Sequence, residues 1–286
     1  MNYIAILVND LEVFEYVVKN ITLDKSKYKF ILFTDTRIGD KTRTIKKLAE
    51  SNNLNFRLFT DAEVNNKLVK IVNTTFVFEY SMSLNILMLW FCMKYCRNIN
   101  KLLILDDDVL INGDISMLFD DQPKFMSDSL AGLSLFHGIK VGNKKSIDLY
   151  NELNRIFDMN VDPLLLYKNY MNGGVKYYVR RYINIGLYEL YLKRFFESSV
   201  IYEMWKNRRS YKTKFLDERF EQMLAIKFKM YNHDMDKYSM LVNQKFEKID
   251  FRKFETTKKK LIHICNNQWK KQTFKKLVEM GVIDDV

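Results

Sequence analysis

The segment KLLILDDDVLINGDISMLFD, Lys101 to Asp120, carries the strongest structural signal in the sequence. Its first part, Lys101 to Leu105, predicts a buried strand by its length and apolar content. The strand runs directly into the carboxylates Asp106, Asp107 and Asp108. Ligands of open α/β sheets bind outside the carboxyl ends of the strands, so these carboxylates predict a ligand site.

The D-x-D spacing places two of the three carboxylates together. Alternate residues of an extended segment point to the same side, so Asp106 and Asp108 can share one ligand while Asp107 points elsewhere. Adjacent carboxylates repel one another unless a cation or hydrogen-bond donors compensate them. Hard oxygen ligands suit Mg²⁺ or Mn²⁺. A polar loop that caps a short helix at Ile115 explains the same residues, and both interpretations stay open at this point.

The residues before this segment predict an α/β fold. Apolar runs predict strands at Tyr3–Val8, Tyr28–Phe33 and Asn55–Phe59, and helical spacing predicts helices at Leu11–Ile21 and Thr42–Glu50. The resulting βαβαβ order predicts a parallel sheet with helices on both faces.

Further helices and short strands are predicted after this segment, and one more helix is predicted directly before it. Helices are predicted at Ser81–Tyr95, Ile115–Phe119, Ser146–Phe157, Pro163–Met171, Tyr188–Trp205, Phe215–Phe228 and Phe274–Met280. Strands are predicted at Leu130–Phe136, Ile183–Leu187 and Leu261–Cys265. We expect one continuous unit, in which residues 1–205 form the core and residues 206–286 form a basic, mainly helical C-terminal part that completes the site.

Composition excludes several classes of protein. With 286 residues and 48% hydrophobic content, the chain can bury a large core and is not disordered. Three cysteines are too few for a disulfide framework and favour a reducing compartment. The N-terminus lacks the features of a signal peptide, and the most apolar later stretch, Ile86–Met93, is too short to span a bilayer. We therefore expect a cytoplasmic protein without a transmembrane segment.

Positive charge is concentrated near the C-terminus. The net charge is +11, and residues 206–286 contain 20 Lys and Arg against 11 Asp and Glu. A basic region of this kind fits a polyanionic partner, and aromatic residues lie among the clusters Lys206–Lys214 and Lys258–Lys260. A nucleic-acid-binding protein is therefore one hypothesis, although no zinc knuckle or helix-turn-helix pattern accompanies it. A solvated lysine surface is the other interpretation.

The segment from Lys101 resembles the D-x-D region of GT-A glycosyltransferases, and most of all that of glycosyltransferase family 8. The family pattern is an apolar strand, D-x-D, a few apolar residues, Gly-Asp and a helix containing Leu and Phe. The matching residues here are Asp106, Asp108, Gly113, Asp114, Leu118 and Phe119.

Three later segments are similar to family segments in the same order. YINIGLYELYLKRF, from Tyr182, is similar to the family's N-x-G segment and maps Asn184 and Gly186. FLDERFEQMLA is similar to the D-Q-D-x-L segment at Asp217, and LIHICNNQWKK is similar to the closing H-x-x-G-x-x-K-P-W segment at His263.

The chain also departs from the family pattern. Glu218 replaces the Gln of D-Q-D, and Arg219 replaces its second Asp. The closing segment lacks its Gly and Pro, and Lys270 stands one residue from the family's lysine. These departures leave open a catalytically degenerate member that only binds its ligand.

The resemblance implies a GT-A, Rossmann-like, mostly parallel central sheet with helices on both faces. It implies a metal-dependent, retaining transfer of a hexose from a UDP-sugar, with glucose or galactose as the expected sugar, to an acceptor hydroxyl. The acceptor is left open between a glycan, a protein and a nucleic acid. A DNA-modifying glycosyltransferase would combine this activity with the basic region.

The resemblance also implies roles for individual residues. The metal, Mn²⁺ or Mg²⁺, is expected on Asp106, Asp108 and His263. Asn184 and Asp217 are expected to face the sugar, although each also suits a turn or a helix cap. Asn9 and Asp10, which also suit a helix cap, are expected at the nucleotide. The remaining donor-binding residues are Asp107, Gly186 and Lys270, with Lys271 as a substitute for Lys270 at the diphosphate.

Overall fold

A six-stranded sheet forms the centre of the computed structural model, which describes residues 2–36, 39–72, 82–127, 129–207, 216–230, 234–265 and 267–286. The strands are β1 (Asn2–Val8), β2 (Tyr28–Thr34), β3 (Phe56–Thr60), β4 (Lys101–Asp106), β6 (Lys124–Ser127) and β7 (Met171–Val179). Their order in the sheet is β3-β2-β1-β4-β7-β6. The pairs among β3, β2, β1 and β4 are parallel, and β7 is antiparallel to both β4 and β6.

A second, three-stranded sheet lies at the carboxyl end of β4. Its order is β5-β9-β8, with β5 (Val109–Ile111) antiparallel to β9 (Leu261–Ile264) and β8 (Ser239–Val242) parallel to β9. Val109 stands directly opposite His263 in this pairing. The register therefore brings a histidine from the end of the chain beside the D-x-D carboxylates.

Helices cover both faces of the central sheet. They are α1 (Leu11–Lys19), α2 (Thr42–Ser51), α3 (Asp61–Leu68), α4 (Met82–Tyr95), α5 (Ser129–Lys140), α6 (Lys144–Phe157), α7 (Pro163–Lys168), α8 (Ile185–Phe196), α9 (Ser199–Lys206), α10 (Leu216–Lys227), α11 (Arg252–Thr256) and α12 (Lys270–Glu279). Where its side chains are described, α4 is buried on nearly every side, as its apolar sequence predicts.

The parallel strands end at one edge of the sheet, where the site is built. β1 is almost wholly buried, which fits a strand covered by helices on both faces. Leu7 of β1 stands opposite Asp106 of β4, so the turn after β1 lies beside the D-x-D carboxylates. Asp10 caps α1 by accepting the backbone N–H groups of Glu12 and Val13.

Two predicted strands are wrong. Leu130–Phe136 lies within the helix α5, because a short apolar run has no period that separates strand from helix. Ile183–Leu187 contains the start of α8, where the Asn184 side chain accepts the Leu187 backbone N–H as an N-cap.

Two strands of the central sheet, the four-residue β6 and the longer β7, were missed. The predicted helix Pro163–Met171 ends at Lys168, and Met171 begins β7. In β7, the segment MNGGVKYYV from Met171 to Val179 contains two β-branched residues and two tyrosines, but the paired glycines near its start obscured its strand character.

The C-terminal part contains two strands in addition to its helices. Residues 206–286 contribute β8 and β9 as well as α10, α11 and α12. The division into residues 1–205 and 206–286 stays a prediction.

Candidate active site

The end of β4 carries a group of charged side chains that we name the strand-end cluster: Asp106, Asp108, His263 and Lys270. Nε2 of His263 lies 3.1 Å from Oδ1 of Asp108 and 3.8 Å from Oδ2 of Asp106. The Lys270 ammonium forms an ion pair with the other oxygen of Asp108. The register of β5 and β9 and the start of α12 thus bring together four of the residues predicted for the site.

Hydrogen bonds determine which nitrogen of His263 is free. Oδ1 of Asn172 accepts the backbone N–H of Gly174 at 2.9 Å, which identifies it as the oxygen of the amide. The same oxygen lies 2.8 Å from Nδ1 of His263, so Nδ1 carries a proton and donates it. In the neutral ring Nε2 is then a lone-pair donor that faces the carboxylates, as metal-binding histidines require.

The strand-end cluster fits a divalent cation. One atom each from Asp106, Asp108 and His263 lies within 4.8 Å of the other two. Among the described residues, Oδ1 of Asp108 and Nε2 of His263 are buried without a hydrogen-bond partner. Buried polar atoms are normally satisfied, and a cation between two carboxylates and an imidazole would satisfy both.

Glycine makes room for the histidine. A Cβ built on Gly174 would overlap the His263 ring, so a larger residue here would displace the imidazole. Asn172 and Gly174 were not predicted as site residues. The N-x-G pattern that was assigned to Asn184 and Gly186 also occurs at Asn172-Gly173-Gly174, and this was the signal that could have found them.

The pKa values of the groups in the strand-end cluster are shifted in different directions. Burial alone would raise the pKa of Asp108, but His263 and Lys270 outweigh it and hold that pKa at about 2. Burial and the neighbouring Asp108 raise the pKa of Asp106 above its ordinary range. Burial lowers the pKa of His263, but the two carboxylates outweigh it and raise that pKa above its ordinary value.

The middle carboxylate, Asp107, points away from this cluster, as predicted, although it lies in the turn after β4 and not in an extended segment. Its Oδ2 accepts the backbone N–H groups of Asn9 at 2.5 Å and Asp10 at 2.7 Å. Burial and Asp108 raise its pKa to about 7. Asp107 thus fixes the turn after β1. Lys271 pairs with Asp10 at 3.3 Å, on the outside of that turn.

A second group of charged residues lies beside the first, and we name it the helix cluster: Lys176, Asp217, Glu218 and Glu221. The Lys176 ammonium lies 2.8 Å and 2.6 Å from the two oxygens of Glu221, and both side chains are buried. Asp217 accepts a hydrogen bond from the side chain of Asn85 on α4 at 2.9 Å. Lys176 also interacts electrostatically with Asp106 and Asp217, which connects the two clusters.

The structure does not bring Asn184 and Gly186 to either cluster. β7 runs antiparallel to β4, so Val175 stands opposite Leu105 near the site and Val179 stands opposite Lys101 at the other end. Asn184 follows Val179, and its side chain caps α8 at that far end. The residue that approaches His263 is Asn172 instead.

The basic cluster Lys206–Lys214 lies mostly outside the described residues, which omit 208–215. In the other cluster, Lys259 donates to the backbone oxygens of Asp236 and Lys237. No helix within the described residues is long and apolar enough to cross a membrane.

Comparisons with solved structures show the same fold. The structure is similar to that of the galactosyltransferase LgtC in complex with donor and acceptor sugar analogues, with 14% identity over 99% of this chain and 97% of that chain and a TM-score of 0.51. It is also similar to mouse xyloside xylosyltransferase 1, with 13% identity over 93% of this chain and 98% of that chain and a TM-score of 0.51. At these identities the likeness establishes a GT-A fold alone.

Sequence comparison gives the family. No curated protein sequence matches the chain. The family model described as glycosyl transferase family 8 matches residues 7–177, which include the D-x-D carboxylates and β7. This match covers more than half of the chain, and the protein is therefore a glycosyltransferase that belongs to glycosyltransferase family 8.

Proposed function

We propose that this glycosyltransferase moves glucose or galactose from a UDP-sugar to an acceptor hydroxyl, with retention at the anomeric carbon and with Mn²⁺ or Mg²⁺ at the strand-end cluster. The observation that carries the proposal is the pair of buried, unsatisfied atoms, Oδ1 of Asp108 and Nε2 of His263. They face each other beside Asp106 in a set of ligands that a divalent cation prefers.

The proposed chemistry centres on the leaving group. A divalent cation in this cluster would neutralise the charge that builds on the diphosphate as the glycosidic bond breaks. Lys270 would add a second positive charge near the diphosphate, because its ammonium forms an ion pair with Asp108 in the same cluster. Asp217 orients the sugar in this proposal and does not form a covalent intermediate.

The nucleotide is proposed to bind at the turn after β1. Asp107 holds the backbone of Asn9 and Asp10 there and acts as a positioning residue. The acceptor, whether a glycan, a protein or a nucleic acid, supplies only a hydroxyl in this scheme. A cytoplasmic location is part of the proposal, since three cysteines are too few for a disulfide framework.

The first test is the thermal midpoint with UDP, with and without Mn²⁺, for the unaltered protein and for Asp106→Asn combined with Asp108→Asn. A ligand at about 100 times its dissociation constant adds roughly 2.7 kcal/mol to the free energy of unfolding, which is about 5 °C at this size. We expect the UDP shift to need Mn²⁺ and to vanish in the double variant.

Asp121→Asn is the matched control, because this carboxylate directly follows the same segment, has 65% of its side chain exposed and pairs with Lys101 and Arg181. It should keep the shift. A folded protein that shows no shift with any uridine nucleotide would contradict the proposal. Binding of a polyanion by residues 206–286 would then be the function to measure.

A further inference from the structure

A buried ion pair joins the central sheet to α10. The side chain of Lys176 on β7 is 2% exposed, and that of Glu221 on α10 is 1% exposed. The Lys176 ammonium donates to both carboxyl oxygens of Glu221, at 2.8 Å and 2.6 Å, so this carboxylate fixes its position. Replacing a buried ion pair by a well-packed apolar pair of similar volume is often neutral or stabilising. Stability alone therefore does not explain a lysine at this place.

The register of the sheet puts Lys176 on the same face as the metal ligand Asp106. Ile104 stands directly opposite Lys176 in the pairing of β4 with β7, and paired residues share one face. Asp106 follows Ile104 by two residues, so its side chain points to that face as well. Lys176 and Asp106 are thus diagonal neighbours, with Cα atoms about 7 to 8 Å apart, a distance that long side chains bridge. The ammonium and the Asp106 carboxylate attract each other.

The helix α10 brings a second carboxylate to the same ammonium. Asp217 lies one helical turn before Glu221, and residues four apart share a helix face with Cβ atoms about 5 to 6 Å apart. Because Lys176 is bonded to Glu221, Asp217 lies one turn along the helix from the ammonium, which attracts it. The side chain that donates to Asp217, Asn85, is uncharged. Lys176 therefore supplies positive charge to Asp217.

The carboxylates of Asp106 and Asp217 carry like charges, which repel each other unless a cation compensates them. The two cations of the strand-end cluster serve another carboxylate: His263 lies closer to Asp108 than to Asp106, and Lys270 pairs with Asp108. An ammonium has three N–H donors, of which Glu221 accepts two. Lys176 is therefore placed to compensate Asp106 and Asp217 from one fixed point.

We propose that Lys176 is a positioning residue for sugar transfer. Its ammonium, fixed by Glu221, keeps the Asp217 carboxylate in the orientation that the donor sugar requires beside Asp106. The inference rests on the function proposed above, in which Asp217 orients the sugar, and it adds the charge that holds Asp217. Lys176 acts through Asp217 and not by touching the substrate, since its side chain is buried and bonded to Glu221.

The double variant Lys176→Met with Glu221→Leu tests the inference, because it removes the charge and keeps an apolar pair of similar volume. The reaction followed is the release of UDP from UDP-glucose or UDP-galactose with Mn²⁺, in which water replaces the acceptor hydroxyl. We expect kcat to fall about 100-fold or more, because misplacement of a group by 1 Å can cost this much. The Mn²⁺-dependent affinity for UDP, which has no sugar, should stay within about threefold.

Lys124→Met is the matched control. Lys124 on β6 is also buried, at 3% exposure, and pairs with Asp120. It stands opposite Tyr177 and lies over that ring, on the face of the sheet away from Lys176. This variant should keep kcat within about threefold of the unaltered protein. An equal loss of kcat in Lys124→Met and in the double variant would overturn the inference.

A binding measurement needs no turnover. Calorimetry with Mn²⁺ compares UDP with whichever of the two UDP-sugars the unaltered protein binds more tightly. We expect the gain in affinity that the sugar provides to shrink about tenfold or more in the double variant. A folded double variant with an unchanged gain, or with kcat within tenfold of the unaltered protein, would show that the pair is only structural. Failure of UDP to bind the unaltered protein would instead contradict the proposed function.

Glu221→Asp covers the case in which the double variant does not fold. It keeps both charges but draws the carboxylate back by one methylene group, so the ammonium moves with it. We expect the gain in affinity from the sugar and kcat each to fall about tenfold, with the affinity for UDP retained. Unchanged values in Glu221→Asp would contradict the proposal.

Discussion

The strand-end cluster and the helix cluster lie side by side, yet their carboxylates are held in different ways. In the strand-end cluster Asp108 contacts both His263 and Lys270, and still has a buried oxygen without a hydrogen bond. In the helix cluster each carboxyl has its own neighbour: Lys176 for Glu221, Asn85 for Asp217 and Tyr170 for Glu218.

The difference distinguishes the cluster that is proposed to bind a cation from the one whose carboxyl groups already have partners. Carboxylate oxygens and an imidazole nitrogen that lack hydrogen-bond partners and lie close together favour a metal ion. Carboxyl groups that each have a partner of their own leave no coordination for a metal ion to fill. The prediction with the largest expected effect replaces Lys176, the cationic side chain of the helix cluster.

Lys176→Met should destabilise the protein by about 3 to 5 kcal/mol, because it leaves the Glu221 carboxylate buried without its cation. Adding Glu221→Leu should recover most of this loss, since an apolar pair of similar volume needs no compensation. Urea unfolding measures both. The exposed pair of Lys237 with Asp234 is the control, and Lys237→Met should cost less than about 1 kcal/mol. Equal losses in the single and double variants would contradict this description of the helix cluster.

Gly174→Ala should weaken Mn²⁺ binding about 10- to 100-fold, because the new methyl group displaces the His263 ring. Gly186→Ala is the matched control, since a Cβ there meets only an ordinary contact, 3.5 Å from Oδ1 of Asn184. Titration with Mn²⁺, followed by calorimetry, compares them. Unchanged affinity in Gly174→Ala would mean that His263 is not a ligand.

Glu218→Gln should change how stability depends on pH in the absence of metal and sugar. Burial and Asp217 raise the pKa of Glu218 to about 8 in the folded protein, against about 4.3 for an unfolded chain. The stabilising contribution of its protonated form is complete below the unfolded pKa and is lost as the pH rises through the folded pKa.

The free energy of unfolding of the unaltered protein should therefore fall by about 1 to 2 kcal/mol relative to Glu218→Gln between pH 5 and pH 8.5, allowing for solvent screening of a partly exposed group. Denaturant unfolding at several pH values measures this difference. Parallel curves for the two proteins would refute it.

Asn184→Ala should have the smallest effect. It removes the N-cap of α8 and should cost about 1 kcal/mol of stability while leaving sugar transfer unchanged. A tenfold loss in kcat/KM in a folded Asn184→Ala protein would show that Asn184 takes part in the reaction. It would also weaken the contrast between the clusters.

The sequence predicted the parallel half of the sheet well. β1, β2, β3 and β4 are apolar runs separated by helical patterns, and local periodicity is enough to find them. The carboxylates that follow β4 were predictable for the same reason, because the end of a parallel strand is where such a sheet binds its ligands.

The antiparallel half was harder to predict. β7 contains Gly173 and Gly174, which weaken its strand signal, and its direction decides whether Asn172 or Asn184 reaches the site. The pairing of Lys176 with Glu221 depends on how α10 packs on β7, which no local pattern encodes. Tertiary contacts, rather than propensity, determine this part of the site.

The pairing of β5 with β9 also affects when the enzyme becomes active during its synthesis. All the strands of the central sheet precede residue 180, whereas His263 and Lys270 emerge from the ribosome much later. Synthesis proceeds at about 5 to 20 residues per second, so a growing chain can complete its sheet several seconds before its acidic loop acquires these partners. The unfinished protein therefore carries the scaffold without His263 and Lys270, and under the proposed function sugar transfer begins only when the last segments dock.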